Sequence, residues 1–176
     1  DWSSDVCSFR SNILENRLGE TRILVVGNPN TPDGLRFTPD LLLAIAAKLA
    51  EQGGLLVVDE AFVDGEPETS LSAHAGREGL LLFRSISKFY GLPGLRLGFA
   101  VAAPRLAGAL REVLGSWPVS TPGCLIGTAA LKDAAWRTAA LEKLTRRGQA
   151  LDAVLEKDRK STRLNSSHSQ QSRMPS

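Results

Sequence analysis

The run Leu55-Leu56-Val57-Val58-Asp59-Glu60-Ala61-Phe62 limits the fold more than any other stretch of the chain. A short apolar run without polar alternation needs burial on both faces, the situation of a parallel strand in an open α/β sheet. Acids that close such a run lie at its C-terminal edge, where these sheets bind ligands. Ile23 to Gly27 and Leu80 to Ser85 read as companion strands, and Leu95 to Ala102 as a fourth. Thr38-Pro39-Asp40 predicts a helix start, with a hydroxyl cap, proline in the first turn and an acid behind it. Leu41, Leu42, Ile45 and Leu49 then recur at helical spacing until Gly53-Gly54 stops them, which supplies a crossover helix between two parallel strands. Pro104 opens a helix to about Leu114, and Pro122 opens another that breaks near Asp133. Trp136 to Leu155 carries Leu141, Leu144, Leu151, Val154 and Leu155 on one face, a stripe expected in the core. There are no internal repeats, and the order implies an α/β domain of the layered α/β/α kind with a mostly parallel sheet.

Three turns at the strand ends carry the candidate chemistry. Asp59 is placed to hold a protonated ring nitrogen by charge pairing, and the same residues fit the magnesium-binding acid of a P-loop ATPase. That rival lacks its partner, because no G-x-x-x-x-G-K-[ST] occurs anywhere in the chain. The run Ser85-Ile86-Ser87-Lys88-Phe89-Tyr90-Gly91-Leu92-Pro93-Gly94-Leu95-Arg96-Leu97-Gly98 sets an amine, two hydroxyls and a guanidinium around one glycine-rich turn. A lysine in a suitable environment traps a carbonyl, while hydroxyls, backbone amides and an arginine bind an anion. Pyridoxal phosphate needs both. The third turn, Val25-Val26-Gly27-Asn28-Pro29-Asn30-Thr31-Pro32-Asp33-Gly34, is by itself a strong turn signal.

In order and spacing these segments resemble the N-P-N-N-P-[TD]-G, D-E-A-[YF] and S-x-S-K-x-x-G-L-x-G-x-R-x-G signatures of the fold-type I pyridoxal phosphate enzymes, in the class I/II aminotransferase group that includes the histidinol-phosphate aminotransferases. Leu114-Gly115-Ser116-Trp117-Pro118-Val119-Ser120, Ala130-Leu131-Lys132-Asp133-Ala134-Ala135-Trp136 and Phe62 are most similar to the threonine-phosphate decarboxylases of cobalamin biosynthesis. The resemblance runs from about Arg22 to about Leu155. It implies pyridoxal 5'-phosphate as cofactor, Lys88 as Schiff-base lysine and general acid/base, Asp59 as partner of the pyridine nitrogen, and Ser85, Ser87 and Arg96 as phosphate ligands. Thr31 takes the place of the family asparagine that donates to the cofactor's phenolic oxygen, and Phe62 the place of a tyrosine donor; Asn28 and Asn30 shape their loop. The resemblance further implies a small amino acid phosphate as substrate, decarboxylation or transamination as the reaction, and a homodimer. Family members are considerably longer, with an upstream glycine-rich phosphate loop and a downstream small domain that binds the substrate carboxylate. A truncated domain without activity of its own is therefore a third reading.

Composition sets the remaining limits. Hydrophobic residues make up 43% and charged residues 23%, ordinary values for a soluble enzyme, and no apolar run approaches the roughly 20 residues of a membrane span. Cys7, Cys124, His74 and His168 form no metal-ligand spacing, so no metal is expected. The net charge of +2 invites a nucleic-acid reading. Its source is the tail, where Arg159, Lys160, Arg163 and Arg173 face only Asp158, and residues 1–157 are net negative, so neither nucleic acid nor membrane is expected as partner. The polar, serine-rich segment from 158 to 176 is expected to be disordered and resembles translated sequencing-adapter sequence. Residues 1–12 have the same look and lack the pattern of a signal peptide, which leaves 13–157 as a partial cofactor-binding domain and a cytoplasmic location as the expectation.

Overall fold

The computed structural model describes residues 22–171, with side chains through 158. Four strands, β1 (Ile23–Gly27), β2 (Leu55–Asp59), β3 (Leu80–Ser85) and β4 (Gly98–Ala102), form one sheet in the order β1-β2-β3-β4. β1, β2 and β3 are parallel, with Gly27 opposite Asp59 and Asp59 opposite Phe83. β4 runs antiparallel to β3, with Ser85 opposite Gly98 and Leu81 opposite Ala102. The fold is α/β with a mostly parallel sheet.

Helix α1 (Pro39–Glu51) links β1 to β2. Thr38 caps it, its Oγ1 accepting the Leu41 N–H at 3.4 Å, and Pro39 opens the first turn. It ends at Gln52 and Gly53, where the chain takes a φ of 67° that glycine accepts without strain. Leu42, Ile45, Ala46 and Leu49 of α1 pack on Leu56 and Val58 of β2 and Leu80 and Leu82 of β3, forming the core. Strand alternation sends Val57 and Leu81 to the other face, where they are still buried, while Ile23, Val25 and Phe83 on that face are exposed.

Three more helices follow, α2 (Pro104–Leu114), α3 (Thr121–Lys132) and α4 (Ala134–Gln171). Asp133 separates the last two, its side chain accepting the Trp136 N–H at 2.9 Å. The chain divides into two compact units at Leu131 and Lys132.

The fourth strand is shorter than the sequence predicts. Pro93–Leu95 form a 3-10 turn and Arg96 adopts the left-handed conformation at φ 49°, so extended backbone begins only at Gly98. The leucine stripe of α4 also departs from expectation, since Leu144, Leu151, Val154 and Leu155 are exposed. The second unit has no further described element that covers them. Helical backbone continues to Gln171, past the boundary expected at 157, and residues 1–12 lie outside the described residues.

Candidate functional site

The C-terminal ends of β1, β2 and β3 and the N-terminal end of β4 share one edge of the sheet, because β4 runs the opposite way. Every residue expected to carry chemistry lies on a turn at that edge. The 28–37 turn carries Thr31 and leaves β1. Asp59 ends β2. Ser85, Ser87 and Lys88 leave β3, and Arg96 leads into β4.

Asn28 is fully buried and spends its amide on one partner, accepting the Phe37 N–H at 2.9 Å and donating to the Phe37 carbonyl at 3.2 Å. Its own N–H donates to the Asp59 carbonyl at 2.9 Å, which fastens the turn to β2. Asn30 donates to Asp33 at 2.8 Å, and Asp33 accepts the Leu35 N–H at 3.0 Å. Those two bonds, that of Leu35 first, hold the Asp33 carboxyl below its ordinary range. Both asparagines shape the loop, and Thr31 is exposed at its tip.

At β2 the Asp59 side chain is exposed and accepts the Ala61 N–H at 2.9 Å, an arrangement that turns the chain and orients the carboxylate. Across the edge, Ser85 Oγ and Ser87 Oγ are 2.6 Å apart, and Ser85 Oγ also accepts the Ser87 N–H at 3.1 Å. The two hydroxyls thus form one polar cluster at the base of the lysine turn. Gly91, at φ 66°, closes that turn by donating to the Lys88 carbonyl at 3.1 Å. Lys88 is exposed, and its Nζ lies 5.3 Å from the centroid of the Phe62 ring, within cation–π range. The left-handed Arg96 is the one non-glycine residue at positive φ among the described residues, a conformation that costs roughly 1–3 kcal/mol and concentrates at functional turns. Two glycines of α3 let that helix approach the segment holding Arg96. A Cβ on Gly127 would stand 2.3 Å from Leu97 Cδ2, and one on Gly123 would stand 3.4 Å from the Leu95 carbonyl.

A second charged group was not legible as a site in the sequence. Glu60 is fully buried, and its carboxylate accepts the Leu71 N–H at 2.6 Å and the Ser70 hydroxyl at 2.8 Å. Arg84 lies 3.5 Å from it and pairs with Asp64 at 2.6 Å and with Ser72 at 2.8 Å. Arg84 and Asp64 form the charged end of a cavity of about 250 Å³ whose other walls include Tyr90, Phe99, Val101 and Leu131. One arginine directly after the apolar run Leu80 to Phe83 was the available signal, since alternation within β3 places it on the α1 face. Farther out, Arg36 of the first turn forms a two-pronged ion pair with Glu66, which holds the Glu66 carboxyl below and the Arg36 guanidinium above their ordinary ranges.

This edge therefore gathers a carboxylate from the end of β2 and an amine, paired hydroxyls and a guanidinium from the turn that joins β3 to β4. The class I and II aminotransferase family matches residues 1–171. The chain belongs to that family. It is 42% identical over 144 residues to the threonine-phosphate decarboxylase of Pseudomonas aeruginosa, which covers 82% of this chain and 44% of the relative. It is 38% identical over 122 residues to histidinol-phosphate aminotransferase 1 of a Nostoc species, covering 69% of this chain and 34% of the relative. Among solved structures, the histidinol-phosphate aminotransferase of Sinorhizobium meliloti in complex with pyridoxal-5'-phosphate superimposes with a TM-score of 0.67 at 27% identity, covering 74% of this chain and 36% of that one. The chain thus spans less than half the length of these relatives. The family and the cofactor-bound neighbour support pyridoxal phosphate as the cofactor. The donor set at the sheet edge fits that molecule, with an acid for a ring nitrogen, an amine for an aldehyde and a hydroxyl and guanidinium group for a phosphate.

Proposed function

We propose that this chain carries the cofactor-holding part of a pyridoxal phosphate enzyme that decarboxylates L-threonine O-3-phosphate to aminopropanol phosphate in cobalamin biosynthesis. The observation that carries the reading is the identity of 42% to the Pseudomonas decarboxylase over 82% of the chain, placed on an edge with the matching donor set. In this reading Lys88 holds the cofactor's aldehyde carbon, Asp59 pairs with the ring nitrogen, Ser85, Ser87 and Arg96 hold the phosphate, and Thr31 faces the phenolic oxygen. Bound cofactor supplies an electron sink for the bond that breaks at the substrate α-carbon. Asp59 keeps a negative charge beside the ring nitrogen, which favours its protonated form. The Lys88 amine would move a proton to and from the substrate α-carbon. The hydroxyl pair and Arg96 fix the phosphate end and so orient the whole group against the lysine.

Transamination of histidinol phosphate is the second reading, favoured by the 38% identity to the Nostoc enzyme. The two reactions differ in which bond to the α-carbon is aligned with the electron sink, a matter of substrate positioning. We place residues 13–157 in the cofactor-binding domain and the full-length enzyme in the cytoplasm as a homodimer. On its own the chain is proposed to be inactive, since among the described residues β1 and β4 each pair on one side only and the chain matches only 44% of the Pseudomonas relative's length.

The test uses the full-length protein. Borohydride reduction and peptide mapping should place the cofactor on Lys88, and carbon dioxide and aminopropanol phosphate should appear from threonine phosphate without a keto acid acceptor. A label on Lys48 or Lys132 defeats the site assignment. A requirement for 2-oxoglutarate, with histidinol phosphate the better substrate, replaces the decarboxylase by the aminotransferase.

A further inference from the structure

The Glu60–Arg84 group lies one residue from each of two proposed cofactor-holding positions, following Asp59 on β2 and preceding Ser85 on β3. Strand alternation turns the Arg84 side chain to the face opposite the Ser85 side chain, and although both residues border one cavity, no hydrogen bond joins them among the described residues. What it touches instead is the exit of the neighbouring strand. Glu60 is bound to β3 twice. Its N–H donates to the Phe83 carbonyl at 2.8 Å, and its carboxylate lies 3.5 Å from the Arg84 guanidinium. Arg84 then reaches past Glu60 to Asp64 at 2.6 Å, Ser72 at 2.8 Å and Ser70 at 3.3 Å, gathering the 62–74 loop beneath the edge.

Stability alone does not call for this arrangement. Buried ion pairs are often matched or bettered by well-packed apolar residues, because taking charge out of water offsets the attraction. Here the cost is raised further, since the Arg84 Nε–H is buried without a partner among the described residues. A device with directional bonds on five residues does what an apolar contact does not. It admits one spacing between the two strand ends, because a slip of either breaks several charge-assisted bonds together.

We infer that Glu60 and Arg84 are positioning residues, a charged clamp on the face away from the ligand that fixes the end of β2 against the end of β3 and so sets Asp59 against the Ser85–Lys88 turn. The inference rests on the proposed reading of those residues as holders of pyridoxal phosphate.

The test is made on the full-length protein loaded with pyridoxal phosphate. The double variant Glu60→Met/Arg84→Met replaces the charges by apolar groups and should still unfold cooperatively, at a somewhat lower denaturant concentration than wild type because the Leu71 N–H and Asp64 lose their partners. Its bound cofactor should nonetheless lose at least half of its induced visible circular dichroism and dissociate about tenfold faster, as expected when a small displacement spoils a fixed geometry. Arg84→Lys keeps the charge as a single point donor in place of a planar fork, and should fall between the two. A folded double variant with wild-type circular dichroism and release rate overturns the clamp. If the double variant does not fold, Asp64→Asn decides, since it removes one arm and leaves Glu60 in place. Faster cofactor release there supports the clamp, and an unchanged rate overturns it. A wild-type protein with no cofactor on Lys88 overturns the reading of the site, and the clamp with it, an outcome distinct from a loaded wild type whose variants behave alike.

Discussion

Replacing Asn28 tests whether the first turn is held by one side chain. Asn28→Ala removes two hydrogen bonds to the Phe37 backbone, at 2.9 and 3.2 Å, in a place with no exposure. At about 0.5–1.5 kcal/mol net for each bond, the substitution should cost about 1–3 kcal/mol. That is a large share of the roughly 5–15 kcal/mol of a typical domain. Equilibrium urea unfolding of the full-length protein measures it. Asn28→Asp separates the two bonds, since a carboxylate still accepts the Phe37 N–H but has no hydrogen for the Phe37 carbonyl. Burial without a cation favours the protonated acid in the folded state, so the folded form binds more protons than the unfolded one. Stability of this variant must then fall as pH rises through the carboxylate range and recover on acidification, relative to the wild type. An alanine variant within about 0.5 kcal/mol of wild type, the ordinary scatter of surface changes, would refute the argument that Asn28 holds this turn.

Three other outcomes follow from named contacts. Glu66→Gln should cost less than about 1 kcal/mol, because both partners are partly exposed; since Arg36 lowers the Glu66 pKa, the difference from wild type should be present at neutral pH and vanish as pH falls below the ordinary 4.5 and through the folded value. Gly127→Ala places a methyl group against the end of the flexible Leu97 side chain, which can turn aside, and the helix gains roughly 1 kcal/mol from the loss of glycine, so net stability should change by less than about 1 kcal/mol while cofactor retention through Arg96 weakens; full retention in a cofactor-release assay would separate α3 from the site. Phe62→Tyr adds a hydroxyl to a ring that already lies beside Lys88, so the absorbance titration of the bound cofactor should move to lower pH; an unmoved midpoint would mean that residue 62 does not face the phenolic oxygen.

The strands and the capped helix were legible because their signals are local. Leu55 to Asp59 has no polar alternation, and Thr38-Pro39-Asp40 states a helix start in three residues. Leu95 to Ala102 reads as one apolar strand that includes Arg96, and nothing local announces that an arginine takes a left-handed turn held against glycines of a later helix. The leucine stripe on α4 shows the opposite limit, since periodicity reports that a face is apolar and not what covers it. Glu60 and Arg84 were hidden for a third reason. Their meeting depends on the register of β2 against β3, and their loop partners Ser70 and Ser72 carry no pattern of their own.

The reversed direction of β4 has a consequence for the order in which the edge is assembled. The chain from Ser85 to Gly98 returns directly to its partner, whereas pairing Ile23 with Leu55 or Leu56 with Leu80 must first close longer loops around a helix or a series of short turns. Loop closure costs less entropy for shorter segments, and contacts near in sequence form sooner. The hydroxyls, the lysine and the arginine therefore belong to the segment that closes first, while the carboxylate at the end of β2 depends on the slower parallel pairings. Destabilising substitutions in β3 and β4 should slow refolding, and those in β1 should chiefly speed unfolding.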